Sequence, residues 1–209
     1  MNNKFAIGIP TINRYDLLKE ILEKYLVDFP NTYIYVVDNG NQGITSSEDR
    51  LKIFNSHKNL GVSGSWNLLV DTSIFLAEYV LLLNDDIYLG KKEQEILDLI
   101  EQEKFDFYVS HGTWCSFLLP INTFVKVGPF DEQFFPAYFE DNDYHQRMKL
   151  QNMSYKVTEV LTPVVFRNSA TVEKDPSLNK NFDENKLKYL VKWGGFPGEE
   201  KYKTPYNEQ

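Results

Sequence analysis

Apolar and polar residues alternate along the chain in blocks of two kinds. Phe5-Ala6-Ile7-Gly8-Ile9, stopped by Pro10, predicts a short buried strand. Asn13-Arg14-Tyr15-Asp16 then opens a segment in which Leu17, Leu18, Ile21, Leu22 and Tyr25 recur at helical spacing, predicting a helix to about residue 26. Thr32 to Val37 predicts a second strand, ending in the turn residues Asp38-Asn39-Gly40. Strand, helix and strand in this order form a βαβ unit, which requires parallel pairing and a right-handed crossover. The pattern continues with a strand over 52–55, a loop over 59–64, a helix over 65–77 and an entirely apolar, hence central, strand over 79–83. A helix over 94–102, strands over 107–109 and 116–120, and a short helix over 122–127 broken by Gly128-Pro129 come next. A helix over 140–151, a strand over 155–160 and a last helix over 180–193 complete the set, before a polar tail. Regular alternation in the first half and mixed order in the second predict one α/β domain over 1–209. Its parallel sheet is flanked by helices over about 1–90, followed by a mixed half over about 91–175 and an irregular extension over 176–209.

Composition narrows the function. The chain has 209 residues, 42% hydrophobic and 25% charged, which is ordinary for a globular protein that buries a sizeable core. The net charge of −8 and the lack of a basic block argue against nucleic acid as a partner and against a polybasic membrane anchor. Residues 74–83 are the most apolar stretch, but Glu78 interrupts them, and none approaches the roughly 20 residues of a membrane span. Cys115 is the single cysteine, so no intramolecular disulfide forms and a reducing, cytoplasmic setting is expected. The aromatic share, 15%, is high, and suits either a core or a carbohydrate site.

In open α/β sheets, ligands bind beyond the carboxyl ends of the strands. Those ends carry Pro10-Thr11-Ile12-Asn13-Arg14, Asp38-Asn39-Gly40, Asn59 to Gly64, and Asn84-Asp85-Asp86, all predicted on one rim. Asp38 suits a nucleobase N–H or an Asx turn, and Asn67, one turn into its helix, suits the nucleotide or a solvated face. Asp85 and Asp86 end an apolar run, and carboxylates there suit Mg2+ or Mn2+, which take one or two such ligands plus substrate phosphates. A second cluster, Glu140-Asp141-Asn142-Asp143, follows Phe134, Phe135, Tyr138 and Phe139. It suits the macrodipole of a first helical turn, and Asp143 can pair with Arg147 at i+4. Its apolar surroundings would also raise a carboxylate pKa toward that of an effective base.

These motifs resemble the GT-A-fold nucleotide-sugar glycosyltransferases of inverting family 2, close to rhamnosyl- and capsule-type members. The resemblance rests on Ile9-Pro10-Thr11-Ile12-Asn13-Arg14, Val36-Val37-Asp38-Asn39, Asn59-x-Gly61 with Asn67, and Leu83-Asn84-Asp85-Asp86. Its most specific part runs from Gly128-Pro129-Phe130-Asp131-Glu132 through Glu140-Asp141-x-Asp143-Tyr144 to Arg147. It implies a GT-A domain whose first half binds a UDP- or dTDP-type sugar and whose second half binds a glycan, glycolipid or glycoprotein acceptor. Pro10, Thr11, Asn13, Arg14, Asp38, Asn39, Gly61, Asn67, Asn84 and Asp85 would contact the donor. Asp86 would ligate Mn2+ or Mg2+. Asp141, or next Glu140, would be the catalytic base, and Trp114 and Asp143 would belong to the sugar or acceptor pocket. Two positions depart from the family pattern. Asn84 stands where the first Asp of the DXD motif is expected, and Arg167 stands where a metal-ligating His often lies. Arg167 would then clamp the diphosphate by charge. A sugar-nucleotidyltransferase is the alternative enzyme class, although residues 10–14 lack the glycine-rich loop expected there. A non-catalytic nucleotide-sugar or glycan-binding module is the third reading.

Overall fold

The computed structural model describes residues 3–102, 104–167 and 176–208. Its main sheet has seven strands in the order β3-β2-β1-β4-β7-β6-β8. These are β1 (Asn3–Thr11), β2 (Ile34–Asp38), β3 (Leu51–Asn55), β4 (Ala77–Leu83), β6 (Phe107–Val109), β7 (Ser116–Pro120) and β8 (Tyr155–Val157). β1 through β4 pair in parallel, with helices crossing from β1 to β2 and from β3 to β4 and an irregular connection over 39–50 joining β2 to β3. β7 runs antiparallel to both β4 and β6, and β6 pairs parallel with β8. The sheet is thus mostly parallel, with a mixed second half.

Alternation along each strand divides the core between the two faces of the sheet. Ile7, Ile9, Leu81, Leu83, Tyr108 and Leu118 pack with Leu18, Ile21, Leu22 and Tyr25 of α1 (Tyr15–Asp28) and with Ile96, Leu99 and Ile100 of α3 (Glu93–Gln102). Ala6, Val80, Leu82, Phe107, Phe117 and Leu119 pack on the other face. Their partners come from α2 (Gly61–Ser73), α4 (Ile121–Val127) and α5 (Glu140–Leu150). A smaller cluster joins Phe134 and Phe139 to Tyr189 and Trp193 of α6 (Phe182–Trp193).

Four boundaries depart from the sequence pattern: the helix predicted over 65–77 ends at Ser73, with Ala77 opening β4, and three others have a local reason. α2 starts at Gly61 rather than residue 65, because Gly61, Ser63, Gly64 and Ser65 are small enough to be buried against the rim. β8 stops at Val157, where the Thr158 hydroxyl accepts from the Val160 N–H at 3.3 Å and starts a 3-10 turn. The segment Pro176–Asn181 is a 3-10 turn, so α6 begins only at Phe182. A second sheet, β5 (Ile87–Tyr88) with β9 (Val165–Phe166), has two residues per strand, too few to carry a period. Among the described residues, no helix is long and apolar enough to cross a membrane.

Candidate functional site

A cavity of about 360 Å3 opens at the carboxyl edge of the parallel strands. Pro10 and Thr11 at the end of β1 and Ile12 after it, Asn39 just after β2, Asn59 before α2 with Gly61, Val62 and Trp66 in it, and Asn84, Asp85 and Asp86 just after β4 all line it. Glu140 and Asp141 of α5 line the same cavity, so the two acidic clusters, 55 positions apart in sequence, share one space. Trp114 lines it too, and also packs on Phe107 and Phe117 at centroid separations of 4.6 and 5.2 Å, so its ring is both core and wall.

Backbone geometry shapes the entrance. Gly61 has φ +71°, and a Cβ there would lie 2.9 Å from both the Phe135 ring and the Pro136 carbonyl. That carbonyl accepts the Val62 N–H at 2.8 Å, fastening the 134–139 loop to α2. Tyr138 and Phe139, the two residues before α5, both have left-handed φ, 77° and 73°. Consecutive non-glycine residues in that region are strained, and such strain concentrates at functional sites. α6 holds the loop in place: Asn185 donates to the carbonyls of Ala137 at 2.8 Å and Phe135 at 3.2 Å.

The carboxylates lie in a poorly solvated environment. Burial pushes Asp85 up to about 7, against the Thr11 hydroxyl that donates to it at 2.6 Å, and Asp86 pushes it the same way. Burial also raises Glu140 well above the ordinary carboxylate value, with Asp141 adding to the effect. Asp141 is raised by burial too, partly offset by the Asn142 N–H that it accepts at 2.8 Å. A cation near either pair would favour the ionised forms.

Other predicted residues stand back from the cavity and support it. Asp38 is fully buried and accepts the Gly40 and Gln42 N–H groups at 3.0 and 2.5 Å, forming the Asx turn. Asn13 presses on that turn: a Cβ on Gly40 would lie 2.4 Å from its Oδ1. Arg14 pairs with Asp16 at 3.1 Å. Asn67 holds Phe130 at both backbone ends, accepting its N–H at 2.7 Å and donating to its carbonyl at 2.9 Å. Asp143, fully buried, takes Lys192 at 2.6 Å, Arg147 at 2.9 Å and the Trp193 indole at 2.9 Å. Arg167 pairs with Glu20 at 3.1 Å, while its backbone N–H donates to the Asp86 carbonyl at 3.1 Å. Asn168 and Ser169, which follow it, lie outside the described residues. His111 and His145 are exposed, and His145 stacks on Tyr155.

The sequence pattern did not single out Trp66, Pro136 or Cys115 for the site, although all three line the cavity; Thr113, beside Trp114 in the 111–114 segment that is a candidate part of the sugar pocket, lines it too. Trp66 carried a usable signal, a large aromatic directly before Asn67 on the helix that opens the rim. Nothing local marked Cys115, which reaches the cavity only because β7 runs against its neighbours.

No protein-family model matches the sequence, and no curated protein matches it. Solved structures do. A mannosyltransferase from Pyrobaculum calidifontis, in complex with GDP-mannose and Mn2+, superposes with TM-score 0.58 at 11% identity over 91% of this chain. The catalytic domain of Drosophila β1,4-galactosyltransferase 7, in complex with xylobiose, superposes with TM-score 0.56 at 13% identity, covering 81% of this chain and 73% of its own. The chain has the GT-A glycosyltransferase fold. It spans 63% of the mannosyltransferase's length. The bifunctional IspDF of Campylobacter jejuni is similar at TM-score 0.51 and 8% identity, over 81% of this chain and 54% of that one.

In this GT-A cavity Asp85 and Asp86 bring hard oxygen donors to one wall. Among the described residues, no three or more His, Cys, Asp or Glu side chains gather as a closed cation cage. Two adjacent carboxylates on one wall are a donor set that suits an ion such as Mg2+ or Mn2+, of the kind that takes one or two carboxylates and completes its shell with water and phosphate oxygens. Asp86 and Asp85 would hold it, and it would supply charge neutralisation at a diphosphate.

Proposed function

We propose that the protein is a glycosyltransferase that moves a sugar from a nucleoside-diphosphate sugar to an acceptor hydroxyl with inversion. One observation carries the reading: two acidic pairs, Asp85-Asp86 and Glu140-Asp141, face one cavity at the carboxyl edge of a GT-A sheet. The mannosyltransferase complex with GDP-mannose and Mn2+ and the galactosyltransferase complex with xylobiose support a nucleotide-sugar donor, divalent-ion assistance and a glycan-type acceptor.

The division of labour follows from the two environments. The Asp85-Asp86 wall lies beside Pro10, Thr11 and Asn39, where the nucleotide and its diphosphate bind. The Glu140-Asp141 wall lies beside Trp114 and the 136–138 loop, where the acceptor binds. Asp141 is the base, with Glu140 behind it; both line the cavity, and burial raises both carboxyls above their ordinary values. The base takes the acceptor proton as the hydroxyl oxygen attacks the anomeric carbon, and the nucleoside diphosphate leaves from the opposite face. Arg167 reaches a diphosphate only by leaving Glu20, an exposed pairing worth little.

The test is donor turnover. Purified protein with Mn2+ or Mg2+ and a panel of UDP- and dTDP-sugars should release nucleoside diphosphate slowly without acceptor and faster with it. Asp86→Ala should abolish that release. Pyrophosphate-dependent formation of nucleoside triphosphate would replace this reading with a nucleotidyltransferase, and donor binding without turnover would leave a binding module.

A further inference from the structure

The cavity is small for the reaction proposed. Its volume of about 360 Å3 lies at the lower end of the roughly 300–1,000 Å3 of small-molecule sites, and the donor takes a share of it. An acceptor longer than one sugar therefore continues outside, and the wall beside Glu140 and Asp141 that it crosses is the 136–138 loop.

An aromatic surface leads outward at that place. Tyr138 lines the cavity and is itself partly exposed. Phe182, the first residue of α6, packs edge-on against the Tyr138 ring at a centroid separation of 5.2 Å and is 40% exposed. The two rings make an unbroken path from the cavity wall to solvent. Neighbouring contacts hold both of them. The Tyr138 hydroxyl donates to Asn179 Oδ1 at 2.6 Å. Phe182 packs on the buried Phe139 at 5.4 Å, and Phe139 packs on Tyr189 at 5.8 Å. Asn185, three residues along α6, donates to the Ala137 carbonyl at 2.8 Å and ties the helix to the loop.

A lone exposed ring needs no explanation, but an apolar surface continuous with a cavity and rimmed by polar groups marks a ligand site. The rim here is polar and acidic. Asp183 and Glu184 directly follow Phe182 and are exposed, Glu184 pairing with Lys188 at 2.8 Å, and the exposed Asn179 adjoins Tyr138. That chemistry selects among occupants. An anionic bilayer surface would be repelled by these acids and by the net charge of −8. A pyranose has an apolar face of C–H groups that an aromatic ring can cover, and edge hydroxyls that donate to carboxylates and carboxamides. We propose that Tyr138 and Phe182 form an outer acceptor subsite, and that the acceptor is a neutral oligosaccharide whose end sugar enters the cavity while the next sugar rests on the Phe182 ring. The proposal rests on the glycosyltransferase reading and names the acceptor class for it.

The probes are neutral methyl hexosides and pentosides with the matching gluco-, manno- and xylo-disaccharides, assayed as acceptors with UDP- or dTDP-sugars and Mn2+. In a series that accepts, kcat/KM should rise about five- to tenfold from one sugar to two, as burying about 50 Å2 of apolar surface would give. Phe182→Ala should cut that rise to about twofold or less. The rise is a ratio within one protein, so a general loss of stability or activity does not alter it. Phe182→Tyr keeps a ring and should keep the rise. An undiminished rise in Phe182→Ala, or no rise in the parent, overturns the subsite. Donor turnover that no saccharide of the panel accelerates overturns the neutral-oligosaccharide assignment. Binding to vesicles of phosphatidylcholine and phosphatidylglycerol that Phe182→Ala abolishes, with no such rise, replaces the oligosaccharide with a membrane. All of these failures leave acceptor-independent release of nucleoside diphosphate in place. Absence of that release with every donor overturns the glycosyltransferase reading itself, and the subsite with it.

Discussion

At the scale of single residues, the acids of the cavity trade stability for chemistry. Asp85 titrates near pH 7 in the folded chain, against an ordinary value of 3.8. The folded state therefore keeps a proton that the unfolded chain releases. Stability from this group is full below pH 3.8 and is lost as the pH rises through about 7. Asp85→Asn, which can still accept from Thr11, should be more stable than the parent at pH 8 by about 2–4 kcal/mol. The difference should vanish near pH 4, as urea melts at both pH values would show. On the opposite wall, Asp141→Asn should lower kcat by about 100-fold with little change in donor affinity. Glu140→Gln should produce the smaller loss, and the reverse order would exchange their roles. Because both acids are raised, the acidic limb of the kcat profile should lie above the usual carboxylate range. The sequence made the acids visible but not their surroundings: the partner of Asp85 is 74 positions away, and only the folded rim brings Thr11 to it.

At the scale of elements, α6 decides how firmly the Glu140-Asp141 wall of the cavity is held. Lys192 is buried between Asp131 and Asp143 at 2.6 Å from each. Asp131 is pushed up by burial, but Lys192 and the Gln133 N–H outweigh that and hold it below the usual range. Lys192→Met removes the cation shared by the two carboxylates, leaving Asp131 without one and Asp143 with Arg147 alone, and should cost about 3–5 kcal/mol in urea denaturation. Loss of the exposed Lys188–Glu184 pair, by contrast, should cost under about 1 kcal/mol. Gly61→Ala tests the other fastening of the same loop. Its left-handed φ and the blocked Cβ position should destabilise the chain by about 1 kcal/mol or more and loosen the Pro136 contact. The helices and strands were legible because each has an apolar face of clear period. The role of α6 was not, since its contacts to the 131–143 region come from polar and aromatic side chains 48 to 61 positions away, which no local period reports. The same holds for Asp143: its i+4 partner Arg147 could be read from spacing, whereas Lys192 and Trp193 could not.

At the scale of the whole molecule, the two halves of the chain share one sheet and both faces of one core. β4 pairs with β7 across the boundary, and each large apolar cluster draws residues from before and after residue 90. Thermal or urea unfolding should therefore appear as one transition for the sheet, with far-ultraviolet dichroism and tryptophan fluorescence coinciding. Two separated transitions would show that the halves fold independently. The parallel order of β1 to β4 was legible from the βαβ spacing. The reversal at β7 was not, because an antiparallel partner inside a buried sheet has the same apolar composition as a parallel one.

That reversal has a consequence for how this cavity can change. β7 delivers its first residues to the edge where its neighbours deliver their last, so the turn before it forms part of the cavity wall. His111 and Gly112 in that turn are exposed, and the space around Gly112 is open. Residues inserted there would extend one wall while leaving the ends of the four parallel strands as they are. A lengthened 111–112 turn gives an engineer a way to reshape one wall of the cavity without rebuilding the opposite one.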